Sequence, residues 1–265
     1  MRKIAKYLNT FKITLLTSLA YFHDFLSRQV FLVVIMFVFV QLWRTTYRWE
    51  GSSTIAGFSL AQMIWYLALS ESLVMGMPRS AADIDSEVKS GSLAYTLTKP
   101  YRYPWFHYAR YMSDALVRFF ANLLVAGGVT WVMVGPPAFT VVSFAAGLSC
   151  VLVAYTLDFW VQFSLGILAF WTEDTWAFRF IYNRVTMLLG GMMLPLEVFP
   201  GWLRRIADAL PTSQIVYGPV ITFLRLRGDG LVGTLVRQGV WITLFYCIGT
   251  LLYGMGVKRL SVQGG

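Results

Sequence analysis

Between Arg118 and Asp158 the chain carries no charged residue. A soluble globule has no place for an apolar run of that length, whereas a hydrocarbon layer needs about 20 apolar residues per helical crossing. Gly135-Pro136-Pro137 interrupts the run. It therefore reads as two membrane helices joined by a tight turn. The rest of the chain has the same shortage of charge. Of 265 residues, 57% are hydrophobic and 13% charged, against roughly 25% charged in an ordinary soluble domain. So little charge cannot cover a soluble surface, and so much apolar content excludes disorder. The expected class is an all-α polytopic membrane protein.

The net charge of +9 does not point to nucleic acid. The basic residues form no stripe and lie between apolar runs, where they suit lipid headgroups. The expected contact is the lipid bilayer. Cys150 and Cys247 both lie inside apolar runs, and no Cys/His spacing suggests a disulfide framework or a metal centre.

Residues 1–22 are expected to form an interfacial amphipathic helix. Ile4, Leu8, Phe11, Leu15, Leu19 and Phe22 recur at helical spacing, with Arg2, Lys3, Lys6 and Lys12 on other faces. Lys12 interrupts any signal-peptide core. Six transmembrane helices are expected, at about 25–43, 55–77, 111–134, 138–171, 176–194 and 238–257. The fifth contains Gly190-Gly191 and Pro195, the mark of a broken or re-entrant helix. Within the loop that follows, Phe199, Trp202, Leu203, Ile206 and Leu210 share one helical face, an expected second surface helix. Six crossings put both termini on one side. With that side cytoplasmic, inner segments hold twice as many Lys and Arg as outer ones. Arg204, Arg205, Arg225, Arg227 and Arg237 run against the rule, but their loop is long and constrains topology weakly.

Catalytic patterns are scarce. There are two histidines, His23 and His107, no HExxH or GxSxG, and no paired Asp cluster on one helix face of the kind membrane phosphotransferases use. Lys89-Ser90 ends like a phosphate loop, but Glu87-Val88 stands where glycines would be needed. No catalytic residue, metal or cofactor is expected on this chain. Ionisable residues inside the spans remain. Asp114 and Arg118, four apart, can pair on one face as an intramembrane ion pair. Glu71 and Asp158 stand alone in their spans and are candidates for a translocation path or gate.

The most polar stretch is 79–110. It contains Glu87, then Gly91-Ser92-Leu93, then Leu97 and Pro100. Further on come Gly190-Gly191, Pro195-Leu196, Phe199-Pro200, Trp202-Leu203 and Leu210-Pro211. The two sets, in this order and with six spans, resemble the ABC-2-type permeases of ABC exporters over nearly the whole chain.

The resemblance implies one permease domain, 1–265, that pairs with a second permease, identical or homologous. The pair engages two copies of a separate ABC ATPase subunit, which carries ATP and Mg. Residues 79–103, between spans two and three, would be a cytoplasmic coupling helix touching the ATPase. Asp85, Glu87, Lys89, Gly91, Ser92 and Leu93 are its candidate contacts. Residues 195–237 would be a re-entrant outer segment, with Pro195 and Phe199 at the path or gate. The expected setting is a bacterial or archaeal cytoplasmic membrane. The expected cargo is lipophilic or amphipathic. An ion-coupled secondary transporter and a membrane-embedded lipid-modifying enzyme are the competing readings.

Overall fold

The computed structural model describes residues 22–137, 139–224 and 228–263. The expected interfacial helix, apart from Phe22, lies outside them. The first long helix, α1, spans Phe22–Glu50. A two-stranded hairpin follows, β1 (Thr54–Ile55) and β2 (Phe58–Ser59), and leads into α2 (Leu60–Gly76). Ser59 caps α2 in a reciprocal capping box with Gln62. The second span was expected to begin near 55, but the hairpin holds 54–59, so the helix starts later. After Met77-Pro78 come two short helices, α3 (Ser80–Lys89) and α4 (Ser92–Leu97). Next are α5 (Tyr103–Val134) and α6 (Val141–Ile167), the latter extended by a 3-10 turn at Leu168–Phe170. Helix α5 begins before the expected 111 because Pro104 occupies its first turn, where the missing N–H costs no bond.

The chain then breaks into pieces. They are α7 (Trp176–Leu188), a 3-10 turn (Leu196–Val198), α8 (Gly201–Ala209), α9 (Pro211–Ile215) and α10 (Tyr217–Leu224). The last helix, α11, spans Gly228–Gln263.

Among the described residues five helical stretches are long and apolar enough to cross a membrane: Gln29–Glu50, Leu60–Lys89, Tyr103–Val134, Val141–Phe170 and Leu231–Arg259. The expected fifth span is not among them. Its helix, α7, has 13 residues, about 20 Å at 1.5 Å per residue, against about 30 Å of hydrocarbon.

Helix α2 lies along α5, and α11 lies along α6. Helices α3 and α10 both rest on α6, and α1 covers α2 and α5. Close approaches occur where glycine leaves room. A Cβ on Gly166 of α6 would sit 2.8 Å from the Ile84 Cβ and 2.9 Å from the Ala81 carbonyl oxygen of α3. A polar stitch crosses three helices. Gln29 Nε2 donates to Asn122 Oδ1 (2.8 Å), and Asn122 Nδ2 donates to the Ser72 carbonyl (3.4 Å).

The ends of the bundle are distinct. At one end, α3 meets Tyr103 of α5 and the 3-10 turn after α6, and Arg259 of α11 donates to the Phe170 carbonyl (3.3 Å). At the other, Gln238 of α11 donates to the Cys150 carbonyl of α6 (3.2 Å) and to the Gln214 carbonyl of α9 (2.8 Å). Helices α6 and α11 thus both run toward the α3 end. The pieces between them carry the chain back the other way.

Candidate functional site at the α3 corner

Helix α3 is amphipathic for a reason its sequence shows: Ala81, Ile84 and Asp85 face the bundle, while Asp83, Ser86 and Lys89 face outward. Its end is set by Gly91, whose φ of 72° is open to glycine at little cost. A Cβ there would meet nothing within 4 Å, so backbone conformation rather than crowding selects the residue. Past Gly91 the chain turns into α4. Leu93 is buried and anchors the short helix; Tyr95 and Leu97 stay exposed, at 69% and 37%. Ser92 is exposed, and its Oγ lies 2.9 Å from Ser90 Oγ.

The charged residues of α3 are tied into the chain itself. Asp85 is buried and accepts from Thr175 Oγ1 (2.8 Å), with Lys89 Nζ at 3.0 Å and Arg179 Nη1 at 3.7 Å. Lys89 also reaches Asp174 (3.4 Å). The Trp176 backbone N–H donates to Asp174 (2.9 Å) and, with Lys89 nearby, holds that carboxyl below its usual range. Glu87 turns toward α5, accepting from Tyr103 Oη (2.9 Å) with His107 Nε2 at 3.3 Å. Arg110 and Asp83 approach to 3.8 Å at the surface.

The candidate path residues are spread through the bundle. Asp158 is fully buried in α6. It accepts from the hydroxyls of Tyr111 and Tyr182 and from Gln162 Nε2 (2.6 Å), while Gln162 Oε1 accepts from the Ala81 backbone N–H of α3 (3.3 Å). Glu71 in α2 is buried at 4% exposure and has no hydrogen-bond or ion-pair partner among the described residues. Asp114 and Arg118 meet as expected, Nη2 to Oδ2 at 3.4 Å, but remain partly exposed. Pro195 is buried and Phe199 half-buried, flanking the short 3-10 turn. Beside that turn a cavity of about 220 Å³ opens among Leu196, Arg204, Asp208, Gln214, Tyr217 and Arg237, with neither Pro195 nor Phe199 in its lining.

Residues that sequence reasoning did not single out complete the corner: Tyr103, His107, Gln162, Thr175, Arg179 and Tyr182. One local signal was present. Thr175, Arg179, Tyr182 and Thr186 follow each other at spacings of four, three and four, a polar stripe on a short helix otherwise rich in aromatics. Among the described residues no group of three His, Cys, Asp or Glu is placed to hold a metal ion.

Long apolar helices packed around buried polar stitches, with a charged corner at one end, define a polytopic helical membrane protein. Residues 30–264 match the family described as ABC-2 family transporter protein, and the chain belongs to that family. It is accordingly a membrane permease of an ABC transporter, of a family that generally serves as the non-catalytic subunit and works with ABC ATPases. No curated protein matches the chain.

Proposed function

We propose that this chain is the permease of an ABC exporter, moving a lipophilic or amphipathic cargo with energy from ATP and Mg held on two separate ATPase subunits. The α3–α4 corner serves as the cytoplasmic coupling segment. A second permease, identical or homologous, completes the pathway. The observation that carries this reading is the corner itself: a short exposed helix, α4, is set by Gly91 on an α3 anchored to α5, α6 and α7. A partner pushing on Tyr95 and Leu97 would push a braced lever. Glu87 and Asp85 shape that lever from inside, while the outer face of α4 offers the contact.

The chain makes six crossings in this reading. Five are continuous, and the fifth is assembled from α7 and the segments that follow it, since α6 and α11 both run toward the α3 end. Both termini are then cytoplasmic. The setting is a bacterial or archaeal cytoplasmic membrane. A family of ABC transporters favours this reading over ion-coupled transport or lipid modification.

The test is Gly91→Pro. Proline fixes φ near −65° and removes a backbone N–H, which here bonds the Val88 carbonyl (3.2 Å). The variant is expected to reach the membrane in normal amount and to lose stimulation of its ATPase. Normal stimulation would remove the coupling role from this corner.

A further inference from the structure

Helix α7 is built unlike the other apolar helices. Trp176, Phe178, Phe180, Ile181 and Leu188 all face outward, between 42% and 59% exposed. Its inward face is the polar stripe. Thr175, its N-cap residue, is fully buried and donates to Asp85 of α3. Arg179, one turn on, faces the same carboxylate at 3.7 Å. Tyr182, a further turn on, donates to the buried Asp158 of α6. Thr186 is buried in turn. In lipid, apolar side chains gain little by leaving the hydrocarbon for a protein face, so polar contacts and close packing decide where a helix sits. Helix α7 has the polar contacts.

Both carboxylates that receive α7 are bound to α3. Asp85 belongs to it. Asp158 is joined to it through Gln162, which donates to Asp158 and accepts from the Ala81 N–H in the first turn of α3. The close contact at Gly166 holds α3 on the same stretch of α6. At its far end α7 runs into Gly190-Gly191, where Tyr66 of α2 donates to the Gly191 carbonyl and Ser70 to the Met192 carbonyl (2.7 Å).

We infer that α7 is held by a two-point polar latch, Thr175 and Arg179 on Asp85 with Tyr182 on Asp158, and that this latch carries displacement of the coupling corner into the broken fifth crossing. Thr175, Arg179 and Tyr182 are positioning residues. This rests on the coupling reading above. A rigid lever acting on apolar contacts alone would slide past α7. Directional bonds to two carboxylates, one on the lever and one beneath it, make α7 follow. Beyond α7 the Gly190 carbonyl accepts from the Tyr217 backbone N–H at the start of α10 (3.1 Å), so a tilt of α7 passes on to the segments that follow it.

The experiment uses the permease–ATPase complex purified through this chain and reconstituted in vesicles, with ATP and vanadate as the only ligands. Cys150 and Cys247 are replaced by Ser. Spin labels are placed on exposed positions, in one sample at Ile181 (α7) and Leu124 (α5), in another at Tyr95 (α4) and Leu124. In the parent, trapping with ATP and vanadate is expected to shift both distances by more than about 2 Å. In Thr175→Val/Tyr182→Phe the Tyr95 distance should still shift and the Ile181 distance should not. Thr175→Ser, which keeps the hydroxyl, should behave as the parent, which separates a lost bond from a misfolded helix. An Ile181 shift of parental size in the double variant overturns the latch. So does a parent in which the Tyr95 distance moves and the Ile181 distance does not. A parent in which the Tyr95 distance stays fixed overturns the coupling reading beneath it.

Discussion

Helices α2 and α7 are both apolar in composition, yet they hold their places by different means. In α2 every residue from Met63 to Leu73 is buried. Its Gly76 lies where a Cβ would run into the Tyr155 hydroxyl and sit 3.3 Å from the Phe119 backbone nitrogen. In α7 Thr186 is the one residue buried within the helix among those described, and the polar stripe makes its contacts. Helix α2 is fixed mainly by shape, with bonds from Tyr66 and Ser70 added to it, and α7 mainly by a few bonds. A helix fixed by shape has one arrangement, because packed interiors do not deform continuously. A helix held by a few bonds can exchange them at modest cost, which suits the part of a transporter that moves.

The comparison breaks most readily at Gly76. Gly76→Val should overpack the α2–α5–α6 contact and cost about 3 kcal/mol, read as a large drop in the thermal midpoint of the detergent-purified protein. A midpoint near the parent's would mean that α2 is not locked by shape. Next in size is Asp158→Ala, which leaves Tyr111, Tyr182 and Gln162 without their acceptor. Groups orphaned in this way cost about 1–3 kcal/mol each. Proteolysis should increase within α7 before it increases in α2, and simultaneous cleavage would show that the two are not held separately.

These two cases also show what was legible in the sequence. The apolar runs marked where most long helices lie, because hydrocarbon thickness dictates their length. The glycine pair and Pro195 flagged the broken stretch. Gly91 follows a polar helical run, the setting in which a glycine often takes positive φ and ends a helix. What stayed hidden was long-range. Asp85 meets Thr175 across 90 residues and Gln162 meets Ala81 across 81, and no local pattern encodes either meeting. Glu87 was read as offered to a partner, whereas its carboxylate is bonded to Tyr103, 16 residues away on the next long helix. The start of α5 was missed because Arg110 and its neighbours are too polar to look like a span, although Pro104 marks a first turn.

Smaller effects sharpen the contrast. Asp114 and Arg118 lie on a half-exposed face, so a double-mutant cycle should give a coupling below about 1 kcal/mol. A much larger value would mean that the face is sealed in the assembled transporter. Smallest of all, Ile181→Ala on the outward face of α7 should change stability by less than about 0.5 kcal/mol. A loss of several times that would show that apolar contacts, and not the latch, hold α7.

If the α3–α4 corner meets the ATPase as proposed, the affinity of the purified permease for its ABC ATPase should fall when Tyr95 and Leu97 are both changed to Asp. Both side chains are exposed, so folding and membrane yield should hold. Acidic groups replacing the apolar contacts of a small interface should weaken binding by at least about tenfold, with loss of coupled hydrolysis. Parental affinity together with parental coupled hydrolysis would contradict the account.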